Sequence, residues 1–257
     1  INLHIYAFLF QILTYYTFSI HVSLGDIIPG LDTSRNLNAD IGFYRPSGFF
    51  LEPNSYVMNS AFLLLLAWDY ISKKTFITLL ITILLSKSLF GFLFVIMLCL
   101  YLAKLRTRIW FMIFTIPIAI GIASNAGIWM DSNIITLRRL AYILDGKDAS
   151  IQARLVSHNP VSIYHYFIPH GIDFTNYNNL FGINGISMIV YSFGIFGWII
   201  IGTVLFKSIK HAKWFIFLIT LLSYPYVAYS IFYIVLADLL VRPKETSNYI
   251  PCLEYRL

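Results

Sequence analysis

The sequence predicts an all-α polytopic membrane protein, and three observations carry that expectation. Hydrophobic residues make up 58% of the 257-residue chain and charged residues only 12%, where a soluble domain carries roughly 25% charged. The apolar residues fall in blocks rather than at a helical or strand period, and the blocks are long enough for helices that span a hydrocarbon core of about 30 Å. The basic residues gather at the ends of those blocks, as membrane topology places them.

Taken in order, the blocks give seven spans, roughly residues 1–23, 55–72, 75–87, 88–103, 109–130, 184–206 and 214–237, within one transmembrane domain covering 1–257. The first begins Ile1-Asn2-Leu3-His4, with no initiator Met and no basic n-region, so it does not read as a signal peptide. A reading frame that starts inside a larger protein is expected, and the seven spans then form part of a larger helical bundle. The second span opens at Pro53-Asn54, which suits a helix start. The third is short; a re-entrant segment shielded by protein or water is the alternative. Two long loops, 24–54 and 131–183, and a polar tail, 238–257, complete the chain.

Orientation follows from charge. Lys73, Lys74, Lys104, Arg106, Arg108, Lys207, Lys210 and Lys213 sit in three short connections whose nearest acid is Asp69. Short loops with excess Lys and Arg face the cytoplasm, so the two long loops are expected on the periplasmic side of a bacterial inner membrane. Trp68, Trp110, Trp129, Trp198 and Trp214 mostly fall near span ends, as an aromatic belt does. The long loops carry Arg35, Arg45, Arg138, Arg139 and Arg154 against one lysine, Lys147. Arginine binds phosphate through a planar fork and keeps its charge in a dry site. Asp69 is placed to pair with Lys73 four residues on. Lys87, at an outward tip, snorkels or touches a phosphate.

Several function classes are disfavoured. The net charge of +6 is dispersed at helix ends and does not point to nucleic acid. Cys99 lies in an apolar block and Cys252 in the tail, so a disulfide between them is not expected. His158, His165 and His170 are spaced seven and five apart, unlike a helical metal-binding pair, and the chain holds no Asp-x-Asp. No metal or other cofactor is expected. Tyr164, Tyr166, Tyr177, Tyr191, Phe167 and Phe174 either stack on sugar rings or anchor an interface.

The densest constellation is Gly42-Phe43-Tyr44-Arg45-Pro46-Ser47-Gly48-Phe49-Phe50-Leu51-Glu52-Pro53-Asn54. It fixes Arg45 and Glu52 between prolines and glycines just before a helix start, whose free N–H groups favour anions. On residue types alone it also reads as an amphipathic turn with a snorkelling arginine. An Arg, then Gly-Phe-Phe, then Glu-Pro opening a helix resembles the bacterial O-antigen polymerase (Wzy-type) family and its O-antigen ligase relatives. Three further pieces agree in order: Leu84-Leu85-Ser86-Lys87-Ser88 before an apolar block, Ser150-Ile151-Gln152-Ala153-Arg154, and Gly182 to Gly197 with Tyr191-Ser192-Phe193-Gly194-Ile195-Phe196-Gly197. The resemblance covers about residues 40 to 206. Members of that family usually have about ten to fourteen spans. The ligases carry a His-Asn pair late in the large loop, whereas His158-Asn159 comes early here, which favours a polymerase.

The resemblance implies metal-independent glycosyl transfer on the periplasmic face. One glycan linked to undecaprenyl pyrophosphate is passed to the terminal sugar of another, building an O-antigen or related surface polysaccharide. Arg45 and Arg154, with Arg138 and Arg139, are expected to hold the pyrophosphate, while Glu52 or His170 takes the acceptor proton. The expected partners are the lipid-linked oligosaccharide, the bilayer and a chain-length regulator. A flippase or transporter, an O-antigen ligase and a non-catalytic membrane subunit are the alternatives. Transporters usually show internal repeats and charges within spans, and neither is evident here.

Overall fold

A computed structural model describes residues 1–24, 27–28, 44–50, 52–104, 106–107, 113, 142, 164, 167–171, 185–223 and 230–241. Eight α-helices lie within them: α1 Asn2–Phe18, α2 Pro53–Ala67, α3 Lys73–Leu85, α4 Leu89–Leu102, α5 Gly185–Phe193, α6 Ile195–Ser208, α7 Ala212–Ser223 and α8 Ser230–Val241. The chain divides into two compact units. One comprises Ile1–Leu98, Leu205–Thr220 and Ser230–Leu257, the other Cys99–Val204 and Leu221–Tyr229.

The all-helical expectation holds for the described residues, but the polytopic one is corrected. No described helix is long and apolar enough to cross a membrane. The longest, α1, has 17 residues, about 25 Å at 1.5 Å per residue against a hydrocarbon core of about 30 Å. The multi-pass inner-membrane location falls with the spans. The physical reason is where the backbone ladders stop. Block 1–23 ends its helix at Ser19, which adopts a left-handed conformation with φ 55°. Block 55–72 stops at the turn after Trp68, where the N–H groups of Tyr70 and Ile71 both bond to the Ala67 carbonyl at 2.9 Å. Block 184–206 is cut by Gly194 into α5 and α6, and block 214–237 yields α7 and α8. The blocks at 75–87 and 88–103 hold only the 13-residue α3 and the 14-residue α4. Apart from Ile113, block 109–130 lies outside the described residues, as do most of the loops 24–54 and 131–183 and the tail beyond Val241.

In the first unit α2 is the central helix, packed against α3 and α8, while α1 packs on α3. Pro53 occupies the first helical position of α2, where its missing N–H costs no bond. Tyr56, Val57, Met58, Ala61, Phe62, Leu64 and Leu65 of α2 are all buried, while the half-buried Ser55, Asn59, Leu63 and Leu66 follow one another at spacings of four, four and three along one face. Ser72 caps α3 by accepting from the Thr75 N–H at 3.1 Å. The start of α4 sits close against α2 and α3. A Cβ on Gly91 would stand 2.9 Å from Val57 Cγ2 and 3.0 Å from the Ile83 carbonyl.

Polar contacts stitch this core. Tyr56 Oη lies 2.7 Å from Thr82 Oγ1. His4 Nε2 lies 2.7 Å from Ser60 Oγ, and the imidazole stacks on Tyr56 at 4.2 Å between centroids. Burial pulls the His4 imidazole down from its ordinary 6.5 to about 4. The folded protein therefore holds His4 neutral while the unfolded chain takes up a proton below 6.5. This contribution to stability is complete above pH 6.5 and is lost as the pH falls toward 4, by about 3 kcal/mol at most. Denaturation followed between pH 7 and 4 should show that loss, and His4→Gln should flatten it. An unchanged pH slope in His4→Gln would refute the assignment.

In the second unit Gly194 is the joint. Its φ is +58°, and a Cβ there would lie 2.5 Å from the Phe167 carbonyl, so only glycine fits. The 167–171 segment runs along the joint. Its N–H groups satisfy carbonyls at the end of α5: His170 donates to Tyr191 at 3.2 Å and Gly171 to Ser192 at 3.0 Å. The Ile195 N–H returns to the Phe167 carbonyl at 3.2 Å.

Candidate functional site

The site grows from one buried amide. Gln11 sits mid-way along α1, 1% exposed. Its carbonyl oxygen accepts from the Gly48 N–H at 2.8 Å and the Ser47 N–H at 3.1 Å. Its amide nitrogen donates to the Gly48 carbonyl at 3.0 Å and the Val22 carbonyl at 3.2 Å. This clasp fixes the segment between Tyr44 and Phe50, which returns through a turn closed by the Phe50 N–H and the Ser47 carbonyl. Gly48 has φ +60°, and a Cβ there would crowd the Tyr56 ring at 3.1 Å.

Next to the clasp lies an aromatic cluster. Tyr44 stacks on Tyr15 at 4.3 Å and meets the His21 ring edge-on at 4.8 Å. Burial, and then the neighbouring Tyr15, push the Tyr44 hydroxyl above its ordinary value, so it stays protonated. Arg45 follows, half-buried, with its Nε shielded from solvent. Glu52 then takes the N-cap position of α2 with an extended backbone, φ −135° and ψ 150°, and its side chain makes no capping bond.

The tip between α3 and α4 closes onto this segment. The Ser86 hydroxyl donates to the Ile83 carbonyl at 2.6 Å, and Lys87 takes a left-handed φ of 53°. Lys87 Nζ donates to the Tyr44 carbonyl at 3.3 Å and to the Tyr16 hydroxyl at 3.4 Å. Ser88 Oγ accepts from the Gly91 N–H, capping α4, and lies 3.4 Å from Asn54 Oδ1. Two cationic residues, Arg45 and Lys87, thus accompany the N-termini of α2 and α4. Each helix start carries the positive end of its dipole, so the arrangement is suited to an anion.

Of the residues the sequence singled out, Arg45 and Glu52 share this segment, and Lys87 turns inward to it. His170 belongs to the second unit, where its ring stacks on Tyr191 at 4.6 Å and 20°. Arg138, Arg139, Arg154, His158, His165, Tyr166, Phe174 and Tyr177 lie outside the described residues. Asp69 corrects an expectation: it pairs with Lys213, not Lys73. Asp69 lies past the end of α2 and Lys73 starts α3, so the two do not share the helical geometry that an i, i+4 pair needs. Among the described residues no group of His, Cys, Asp and Glu could hold a metal ion. Gln11 and Tyr16 were not singled out from the sequence. The available signal was a lone amide inside an apolar block, a residue that needs partners once buried.

Comparison with protein-family models, with curated proteins and with solved structures finds no match for this chain.

Proposed function

We propose that this chain catalyses metal-independent glycosyl transfer, passing a glycan from a polyprenyl-pyrophosphate carrier to the terminal sugar of a second lipid-linked glycan. The resemblance of the Arg45–Asn54 segment to the O-antigen polymerases supplies the reaction. The observation that supports it best is the gathering of the Arg45 segment, Lys87 and two helix starts through the contacts of Lys87 with Tyr44 and of Ser88 with Asn54.

The chemistry places one demand on each part. The bond from the anomeric carbon to the pyrophosphate oxygen breaks, and its electron pair leaves on the pyrophosphate. Arg45 and Lys87 stabilise that charge as a divalent ion would elsewhere. The acceptor hydroxyl forms the new bond to the anomeric carbon and gives its proton to a base. Glu52 fills that role in this proposal because it shares the Arg45 segment at the N-cap position of α2.

Transfer by the purified full chain, supplied with an undecaprenyl-pyrophosphate-linked glycan, tests donor class and metal independence together. Activity should survive excess EDTA unchanged. Activity abolished by EDTA and restored by Mg²⁺ would overturn the proposal.

A further inference from the structure

A second charged surface lies at the other end of α2. The Asp69–Lys213 ion pair ties the turn after α2 to the first turn of α7, within the first unit. That contact sets the turn leading to Lys73 and Lys74, which open α3, beside the start of α7, which is preceded by Lys207 in the last turn of α6 and Lys210 in the connecting turn. Lys73, Lys74 and Lys210 are exposed, and Lys207 is half-buried with Nζ 4.8 Å from the centre of the Trp214 ring. Of this unit's described acids, Asp69 is taken by Lys213, Glu52 lies at the opposite end of α2, and Asp238 is half-buried on α8. Four lysines therefore face no exposed described carboxylate.

Large apolar side chains stand among these lysines. Tyr70 is 79% exposed, Ile209 74% and Phe206 66%. Lys210 Nζ sits 5.8 Å over the Phe206 ring. Solvated lysines alone are an ordinary surface, and scattered exposed apolar residues need no explanation. A basic cluster interleaved with exposed aromatic and aliphatic side chains matches the anionic headgroup layer of a bilayer. The ammonium groups meet lipid phosphates, and the rings sit at the boundary between headgroups and acyl chains. A nucleic-acid duplex or a purely acidic protein face would use the charges but would leave Ile209 without an apolar partner.

We infer that the end of the first unit carrying Lys73, Lys74, Lys207 and Lys210, with Tyr70, Phe206 and Ile209, docks on the surface of an anionic lipid bilayer. This contact is peripheral and needs no helix to cross the membrane. It does not depend on the glycosyl-transfer reading, because it involves none of the residues placed at that site.

Co-flotation of the full chain with vesicles, without any glycan donor, tests it. Partitioning onto vesicles of phosphatidylcholine containing phosphatidylglycerol should exceed that onto pure phosphatidylcholine at least tenfold and should collapse in high salt. The Lys73→Glu/Lys210→Glu double variant should lose that preference at least tenfold while keeping the parent's helical circular dichroism. Lys104→Glu, an exposed charge in the second unit, should bind as the parent does. Inorganic phosphate at matched ionic strength should not displace the protein. Equal partitioning onto both vesicle types, unimpaired binding by the double variant, or displacement by inorganic phosphate would overturn the inference.

Discussion

Gln11→Leu should destabilise the first unit by about 2–5 kcal/mol, because it strips the acceptor from two buried backbone N–H groups and leaves them unpaired. Leucine fills a similar volume, so the loss reports hydrogen bonding rather than a cavity. The Ser47 and Gly48 N–H groups bond to the Gln11 oxygen, and the Gly48 and Val22 carbonyls lose their donor at the same time. A native domain is typically stable by only about 5–15 kcal/mol, so a loss of this size is a large share of the total. Gln11→Glu should also fall below the parent, since a carboxylate still accepts from both N–H groups but turns a buried charge toward the Gly48 and Val22 carbonyls to which it cannot donate. Chemical denaturation of the three proteins gives the comparison. A Gln11→Leu protein within about 0.5 kcal/mol of the parent would show that the clasp contributes little.

The second large effect is expected at Arg45. Arg45→Ala should lower glycosyl transfer by about 10²–10³-fold, the size seen when one fixed stabiliser of developing negative charge is removed. Stability should change far less, because the segment remains held by Gln11 and by the Tyr44–Tyr15 stack. Arg45→Lys should recover only part of the rate, since an ammonium keeps the charge but loses the planar fork. The split between lost rate and retained fold separates a charge role from a packing role. Normal polymer length in cells carrying Arg45→Ala would exclude the proposed pyrophosphate contact.

These two residues show what the sequence could and could not tell. The segment holding Arg45 and Glu52 was legible as a constrained lead into a helix because it has strong local punctuation: two prolines, two glycines and a helix start within 13 residues. Gln11 was not, because its importance arises from chain separated by 36 and 37 residues, which no local pattern reports. Lys87 was legible as a charged tip residue, but its inward turn depends on a left-handed backbone at a serine-flanked tip. The helical class was legible from composition; the spans were not. Hydropathy counts apolar residues in a block and is blind to where the ladder of backbone bonds ends. Gly194 cuts one block because the Phe167 carbonyl occupies the space of a side chain, and the Ala67 carbonyl ends another by accepting both Tyr70 and Ile71. Asp69 illustrates the same limit, since its partner is 144 residues away rather than four.

The central claim is that the chain joins lipid-linked glycan units, and the surface polysaccharide of a polymerase-deleted bacterium tests it most directly. Expressed there as the full reading frame, the protein should restore a ladder of polymer lengths on a gel, and Arg45→Ala should abolish it. Polysaccharide arrested at a single repeat unit, despite folded protein in the cell, would contradict the account.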